Sequence, residues 1–177
     1  SYLVGDLEEI NTIIADVDTD GTVGISDVLT LERLVASGQR PGDGQVTSQE
    51  IVYGTSLMGR DLVCTIIEPE RYERTVLAVF GMHGYEGVYD KDGQVIVDAG
   101  QAVVDYFKSL DTMYGCRLMV ITCANPDGLT DGDSAFDFGH NNKSGVDINR
   151  DFDVDHIPMR KGRNFTAYPF SCPESRA

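Results

Sequence analysis

An apolar run, Thr75-Val76-Leu77-Ala78-Val79-Phe80-Gly81-Met82, followed at once by His83-Gly84-Tyr85-Glu86, constrains this chain more than any other stretch. The run is rich in β-branched and aromatic residues and is closed by glycine, which is the pattern of a buried strand. Glycines at 81, 84 and 87 let the backbone turn sharply at the strand's C-terminal edge, where open α/β sheets hold their ligands. An imidazole and a carboxylate three residues apart can there face one Zn²⁺, an ion that accepts mixed nitrogen and oxygen ligands. The same spacing also suits a loop histidine hydrogen-bonded to a neighbouring glutamate.

Other segments supply the frame for such a strand. Leu62-Val63-Cys64-Thr65-Ile66-Ile67 and Leu118-Met119-Val120-Ile121-Thr122-Cys123-Ala124 are further strand candidates. Between the second and third strands, Ile96, Ala99/Gly100, Val103, Phe107 and Leu110 recur at helical spacing and predict a helix over 94–110 that packs on a sheet. Strand–helix–strand order predicts an α/β fold with a parallel or mixed sheet between helices.

Two more blocks follow, Asn125-Pro126-Asp127-Gly128 and Gly145-Val146-Asp147-Ile148-Asn149-Arg150-Asp151-Phe152, and the chain closes on Tyr168-Pro169-Phe170-Ser171-Cys172-Pro173-Glu174-Ser175-Arg176. With His83-Gly84-Tyr85-Glu86, in this order and spacing, they resemble the zinc carboxypeptidase family, the carboxypeptidase A-like metallopeptidases, from about Val46 onward. The resemblance implies an eight-stranded mixed sheet between helices, of which residues 46–177 would form the first half. It implies that His83 and Glu86 bind zinc, and that Asn149 and Arg150 grip the free C-terminal carboxylate of a peptide substrate. A guanidinium fork and an amide suit a carboxylate chemically, although Arg150 could equally serve a surface salt bridge to Asp147, Asp151 or Asp153. Gly139-His140-Asn141-Asn142 puts His140 where the family has an arginine that steadies the developing oxyanion; an ordinary loop role for His140 is the alternative. The family's third zinc ligand and its general-base glutamate would follow residue 177. His156 reads as a surface loop histidine.

The N-terminal part carries a different signature. In residues 16–27, Asp16, Asp18, Asp20 and Asp27 fall at loop positions one, three, five and twelve, with Gly21 at six and the Thr22 carbonyl at seven. Those are the oxygen positions and the turn glycine of an EF-hand-type Ca²⁺ loop. Leu31, Leu34 and Val35 follow the helical period after it, and the helix is expected to end near Gly38. Aspartate at position twelve makes the segment resemble a dockerin repeat, a small all-α module that docks on a cohesin module of a cellulosome scaffold. Residues 1–38 would then be a partial dockerin, with 7–14 as its connecting helix, and the Pro/Gly-rich stretch 39–45 a linker. Ile25 and Ser26 stand where the family often has a Ser/Thr pair.

Charge narrows the partners. Fourteen Lys and Arg against 29 Asp and Glu give a net charge of −15, which repels phosphate backbones and excludes nucleic acid as an expected partner. No apolar run reaches membrane-spanning length. Four cysteines without Cys-x-x-Cys spacing are neutral on redox compartment, Cys64 and Cys123 reading as small buried hydrophobes within strands. The expected protein is thus a zinc metallocarboxypeptidase of peptides or cell-wall peptides, secreted and scaffold-attached, with this chain cut at both ends and inactive by itself. The alternative is a non-catalytic, calcium-dependent cohesin-binding module with a degenerate peptidase-like domain.

Overall fold

The computed structural model describes residues 16–18, 20–37, 44–87, 91–154, 156–158 and 166–177. The expected connecting helix at 7–14 and most of the expected linker lie outside these residues. The described elements are α1 (Ile25–Ser37), β1 (Thr47–Thr55), β2 (Asp61–Glu68), β3 (Arg74–Val79), α2 (Gly93–Lys108), β4 (Cys116–Ile121), α3 (Pro126–Asp131), β5 (Ser134–Asn141), a 3-10 turn (Ile148–Arg150) and α4 (Pro173–Arg176). Four strands form one sheet in the order β1-β2-β4-β3. Glu73 N–H donates to Gly115 O at 2.9 Å where β3 and β4 begin, and Phe80 N–H to Ile121 O at 2.8 Å where they end, so the pair is parallel across the α2 crossover. β1 and β2 are joined by a tight turn, which makes that pair antiparallel and the sheet mixed.

Two compact units divide the chain. The first comprises residues 1–48, 67–76 and 107–118, and the second comprises 49–66, 77–106 and 119–177. Within the first, α1 follows the acidic loop, and Arg71 pairs with Asp16 at 3.2 Å. Glu68 and Arg117 also approach, at 3.8 Å. Within the second, Leu62, Cys64, Val104 and Val120 are buried, and Val146, Ile148 and Cys172 form a cluster against which Met82 packs.

Three sequence expectations shift. The run at 75–82 does contain a strand, but β3 is an edge strand, and Val76 and Leu77 are 49% and 57% exposed. Successive strand residues point to opposite faces, so adjacent exposed residues mean that the described residues cover neither face of β3 fully at that point. The buried stripe of α2 runs through Gly93, Gly100 and Val104, while Ile96 is exposed. Gly100 sets that rotation, because its missing Cβ makes room for the Phe80 ring. Cys123 falls just after β4 rather than within it. All four cysteines are free thiols, and among the described residues no helix is long and apolar enough to cross a membrane.

Asp151 is the buried electrostatic tie of the C-terminal segment. Its carboxylate accepts the Thr166 hydroxyl at 2.8 Å, the Ser171 hydroxyl at 2.6 Å, the Ser175 hydroxyl at 2.6 Å and the Cys172 N–H at 3.1 Å. Burial by itself would raise its pKa, but these donors together hold it below the ordinary 3.8. An amide at this position has one acceptor oxygen for four donors, so Asp151→Asn should cost about 1.5–3 kcal/mol. The folded-state pKa is depressed, so the contribution is full above about pH 4 and fades as pH falls through the folded value. Urea denaturation should therefore give a large wild-type-minus-variant difference at neutral pH and a smaller one near pH 3. An equal difference at both pH values would contradict this assignment.

Candidate metal centre

The site is assembled from loop ends of the second unit. Backbone pairing beyond β3 continues until the Gly81 carbonyl accepts the Asn125 N–H at 2.9 Å, and Gly81 adopts φ +59°, a conformation open to glycine, which turns the chain toward His83. Gly84 does something different from the turning expected of it. Its N–H donates to Gly139 O at 2.7 Å and its carbonyl accepts the Gly93 N–H at 3.1 Å, and an added Cβ would meet the backbone of Gly128 and Leu129. This close approach brings the His83 loop against the end of β5. Glu86 and Gly87 are held from the other side by Asp92, which accepts their N–H groups at 2.6 and 2.7 Å.

The Asn125-Pro126-Asp127-Gly128 block is a helix start. Asn125 caps α3 by accepting the Gly128 N–H at 2.9 Å, with proline inside the first turn. Its side-chain amide also reaches the His140 carbonyl at 3.4 Å, fixing the end of β5. Asp127, fully buried, accepts the Ser56 hydroxyl and the Met58 N–H, both at 2.9 Å, and pairs with Arg60 at 2.7 Å. Beyond β5, Asn142 accepts the Val146 N–H at 3.0 Å and donates to Glu174 at 2.9 Å, closing the turn that presents Asp147.

His83 stands between two carboxylates. Its Nδ1 lies 2.8 Å from Glu86 Oε1 and its Nε2 lies 3.0 Å from Asp147 Oδ1. The imidazole and Asp147 are buried, and Glu86 is about half exposed. Burial disfavours the charged ring, but the hydrogen bonds and charges of Asp147 and Glu86 outweigh it and raise the His83 pKa. Carboxylates on both sides of the ring fit a metal. With a cation bound, the nitrogen facing the buried carboxylate would keep its proton there and orient the ring, and the other would give its lone pair to the cation beside the exposed carboxylate. The hydrogen-bonded pair that the sequence offered as the alternative is present, and it places two atoms that could ligate a metal side by side. His140, buried at the end of β5, stacks on His83 with ring centroids 3.8 Å apart and planes 17° apart. Ligand atoms of His83, Glu86 and His140 all lie within 4.8 Å of one another.

Asp147 is the residue that sequence reasoning did not assign to the site. Its signal was present in Gly145-Val146-Asp147, since a metal-binding histidine needs a carboxylate or carbonyl behind it. Asp147 also caps the 3-10 turn by accepting the Asn149 N–H at 3.1 Å. That turn carries Asn149 and Arg150, both exposed, and Arg150 Nε lies 3.9 Å from the second oxygen of Asp147. The predicted carboxylate-binding pair is thus one buried carboxylate away from the predicted metal ligand. His156, expected at the surface, is half-buried, with Nε2 3.1 Å from the Thr166 hydroxyl.

In the first unit, Asp16, Asp18 and Asp27 offer oxygens within 4.8 Å of one another. Asp27 accepts the N–H groups of Gly24 at 2.6 Å, Asp18 at 3.2 Å and Val17 at 2.6 Å, which hold its pKa below the ordinary value despite the opposing effect of burial. Asp20 is outside that group and accepts the Thr22 N–H at 2.8 Å.

No family model matches the chain. Bacteriocin BCN5 of Clostridium perfringens is 31% identical over 132 residues, which are 73% of this chain and 14% of the bacteriocin. Among solved structures, the carboxypeptidase A of Helicoverpa armigera aligns with a TM-score of 0.57 and 19% identity, over 85% of this chain and 40% of that one. Bovine thrombin-activatable fibrinolysis inhibitor, in complex with tick carboxypeptidase inhibitor, aligns with a TM-score of 0.52 and 18% identity, over 84% of this chain and 50% of that one. The chain therefore has a metallo-carboxypeptidase-like fold and spans half or less of the length of these proteins.

If Asp147 orients His83 for a metal, Asp147→Asn should weaken Zn²⁺ binding by roughly 10- to 100-fold while leaving the far-ultraviolet circular dichroism unchanged. Competition with a chromophoric chelator measures this, and an unchanged affinity would remove Asp147 from the site.

Proposed function

We propose that this chain carries part of a zinc metallocarboxypeptidase site that acts on peptides with a free C-terminal carboxylate. The observation that supports the reading is His83 clamped between Glu86 at 2.8 Å and the buried Asp147 at 3.0 Å. The donor set of nitrogen and carboxylate oxygen suits Zn²⁺. When bound, zinc supplies a Lewis acid that polarises a carbonyl and makes water a better nucleophile. The chain's own groups do the rest. Asp147 keeps the proton on His83 Nε2 and fixes the ring. Arg150, with its side chain 57% exposed, can turn its terminal nitrogens to a substrate carboxylate, with the Asn149 amide as a further donor.

The acidic loop adds a second proposed function. Asp16, Asp18, Asp20, Asp27 and the Thr22 carbonyl would hold Ca²⁺, and residues 1–38 would serve as a dockerin-like module, followed by a linker at 39–45, that attaches the domain at 46–177 to a cohesin outside the cell. The clustered oxygens of Asp16, Asp18 and Asp27 support calcium; the cohesin partner rests on the sequence pattern alone.

Each half has its own test. The wild-type chain should bind a peptide with a free C-terminus more tightly than its amidated form. Arg150→Ala should reduce that preference by on the order of 10- to 100-fold, the worth of one charged hydrogen-bonded pair. An equal loss for both peptides would refute the carboxylate role. Titration calorimetry should detect Ca²⁺ binding at roughly 10⁻⁴–10⁻³ M or tighter. Asp16→Ala with Asp20→Ala should abolish it, and binding that survives the double substitution would exclude this loop.

A further inference from the structure

We infer that Asp92 is a positioning residue for Glu86: its carboxylate holds the Glu86 backbone where the Glu86 side chain meets His83 Nδ1. The bearing of this inference on metal rests on the zinc reading above. Glu86 stands in a loop, outside any helix or strand, and its side chain is about half exposed. Packing therefore fixes that side chain only weakly, and its reach to His83, at 2.8 Å, depends on where the backbone carries it. Asp92 grips that backbone. Its Oδ1 accepts the Glu86 N–H at 2.6 Å and its Oδ2 accepts the Gly87 N–H at 2.7 Å, one oxygen to each of two successive donors. Hydrogen bonds from backbone N–H to an ionised carboxylate are shorter than neutral ones and roughly twice as strong.

Asp92 directly precedes α2, where an aspartate ordinarily caps its own helix by accepting N–H groups of the first turn. Here backbone carbonyls serve that turn. Gly93 N–H donates to Gly84 O at 3.1 Å, Gln94 N–H to Lys91 O at 2.9 Å and Val95 N–H to Asp92 O at 3.3 Å. Both side-chain oxygens of Asp92 are turned instead to residues five and six positions earlier. The fit is close, since a Cβ on Gly87 would come within 3.0 Å of Asp92 Oδ2. The residues on either side of Asp92 are themselves tied down. Lys91 adopts φ +50° and its Nζ donates to Thr130 O at 2.7 Å, at the end of α3, while Gly93 is held by Gly84. Asp92 is thus a fixed point from which Glu86 is placed.

The test compares Asp92→Asn and Asp92→Ser in the full chain. An amide has one acceptor oxygen, so the first variant keeps one of the two bonds. A serine hydroxyl can still cap α2 but is too short to span Glu86 and Gly87. Long-range proton–nitrogen correlation of the metal-free chain reads His83 Nδ1, and Glu86→Ala gives the displacement of that resonance when its partner is removed. Both Asp92 variants should displace it in the same direction, and adding either to Glu86→Ala should displace it no further. Loss of the Asp92 charge, or a general loosening of the fold, would act in both backgrounds; loss of positioning acts only where Glu86 is present. Zinc affinity by chelator competition should fall about 10-fold in Asp92→Asn and up to about 100-fold in Asp92→Ser, the range of an outer partner, with circular dichroism unchanged. A His83 Nδ1 resonance that stays in place in both variants, or moves equally with and without Glu86, would overturn the inference and leave the zinc reading standing. A wild-type chain whose resonances behave as expected but which binds no zinc would uphold the grip of Asp92 on Glu86 and refute the zinc reading.

Discussion

Gly84 has no room for a side chain, and the site depends on that. Its peptide unit meets three segments distant in sequence: the N-terminus of α2 through Gly93, the start of α3 through Gly128, and the end of β5 through Gly139. Most of these contacts are backbone against backbone, which cannot yield as the tip of a side chain can. His83 precedes Gly84, Glu86 follows it by two residues, and His140 adjoins Gly139. The approach that glycine permits therefore fixes the places of His83, Glu86 and His140 at once, before any metal is considered.

Charge then decides what that geometry is for. A buried histidine beside one carboxylate is an ordinary satisfied pair; one held by carboxylates on both ring nitrogens has an acceptor more than the neutral ring has protons. The same excess negative charge that keeps a proton on His83 would hold a divalent cation more firmly, because the cation can use the Glu86 and His83 lone pairs together. Arg150 adds positive charge on the far side of Asp147, at 3.9 Å, so one buried carboxylate organises both the proposed metal side and the proposed substrate side.

Much of this was legible in the sequence, and the rest was not for identifiable reasons. The helix expected over 94–110 is α2, and the strands expected near 62–67, 75–82 and 118–124 are β2, β3 and β4. Local composition determines such elements, which is why they can be read. β1 and β5 were missed because Thr47–Thr55 interleaves polar residues and glycine, and Ser134–Asn141 is built largely of polar and small ones. The burial of β3 was misjudged because exposure depends on what packs over each face of the strand, and that is a tertiary fact. At the site, His83 and Glu86 were visible as a local spacing. Asp147, 64 residues from His83, could be linked to it only by folding. His140 was noticed as standing in an arginine's place, but its stacking on His83 follows from the Gly84–Gly139 contact, which no local pattern encodes.

The central claim is that His83 Nδ1 and Glu86 form a metal site backed by Asp147. Anomalous diffraction at the zinc edge, from crystals of this chain grown with stoichiometric Zn²⁺, tests it most directly. The account predicts one dominant anomalous peak roughly 2.0–2.1 Å from His83 Nδ1 and at a similar distance from a Glu86 oxygen, with the His83 Nε2–Asp147 hydrogen bond intact. A peak bonded to Nε2 in place of Asp147, or zinc found only at surface carboxylates with His83 still bridging Glu86 and Asp147, would contradict it.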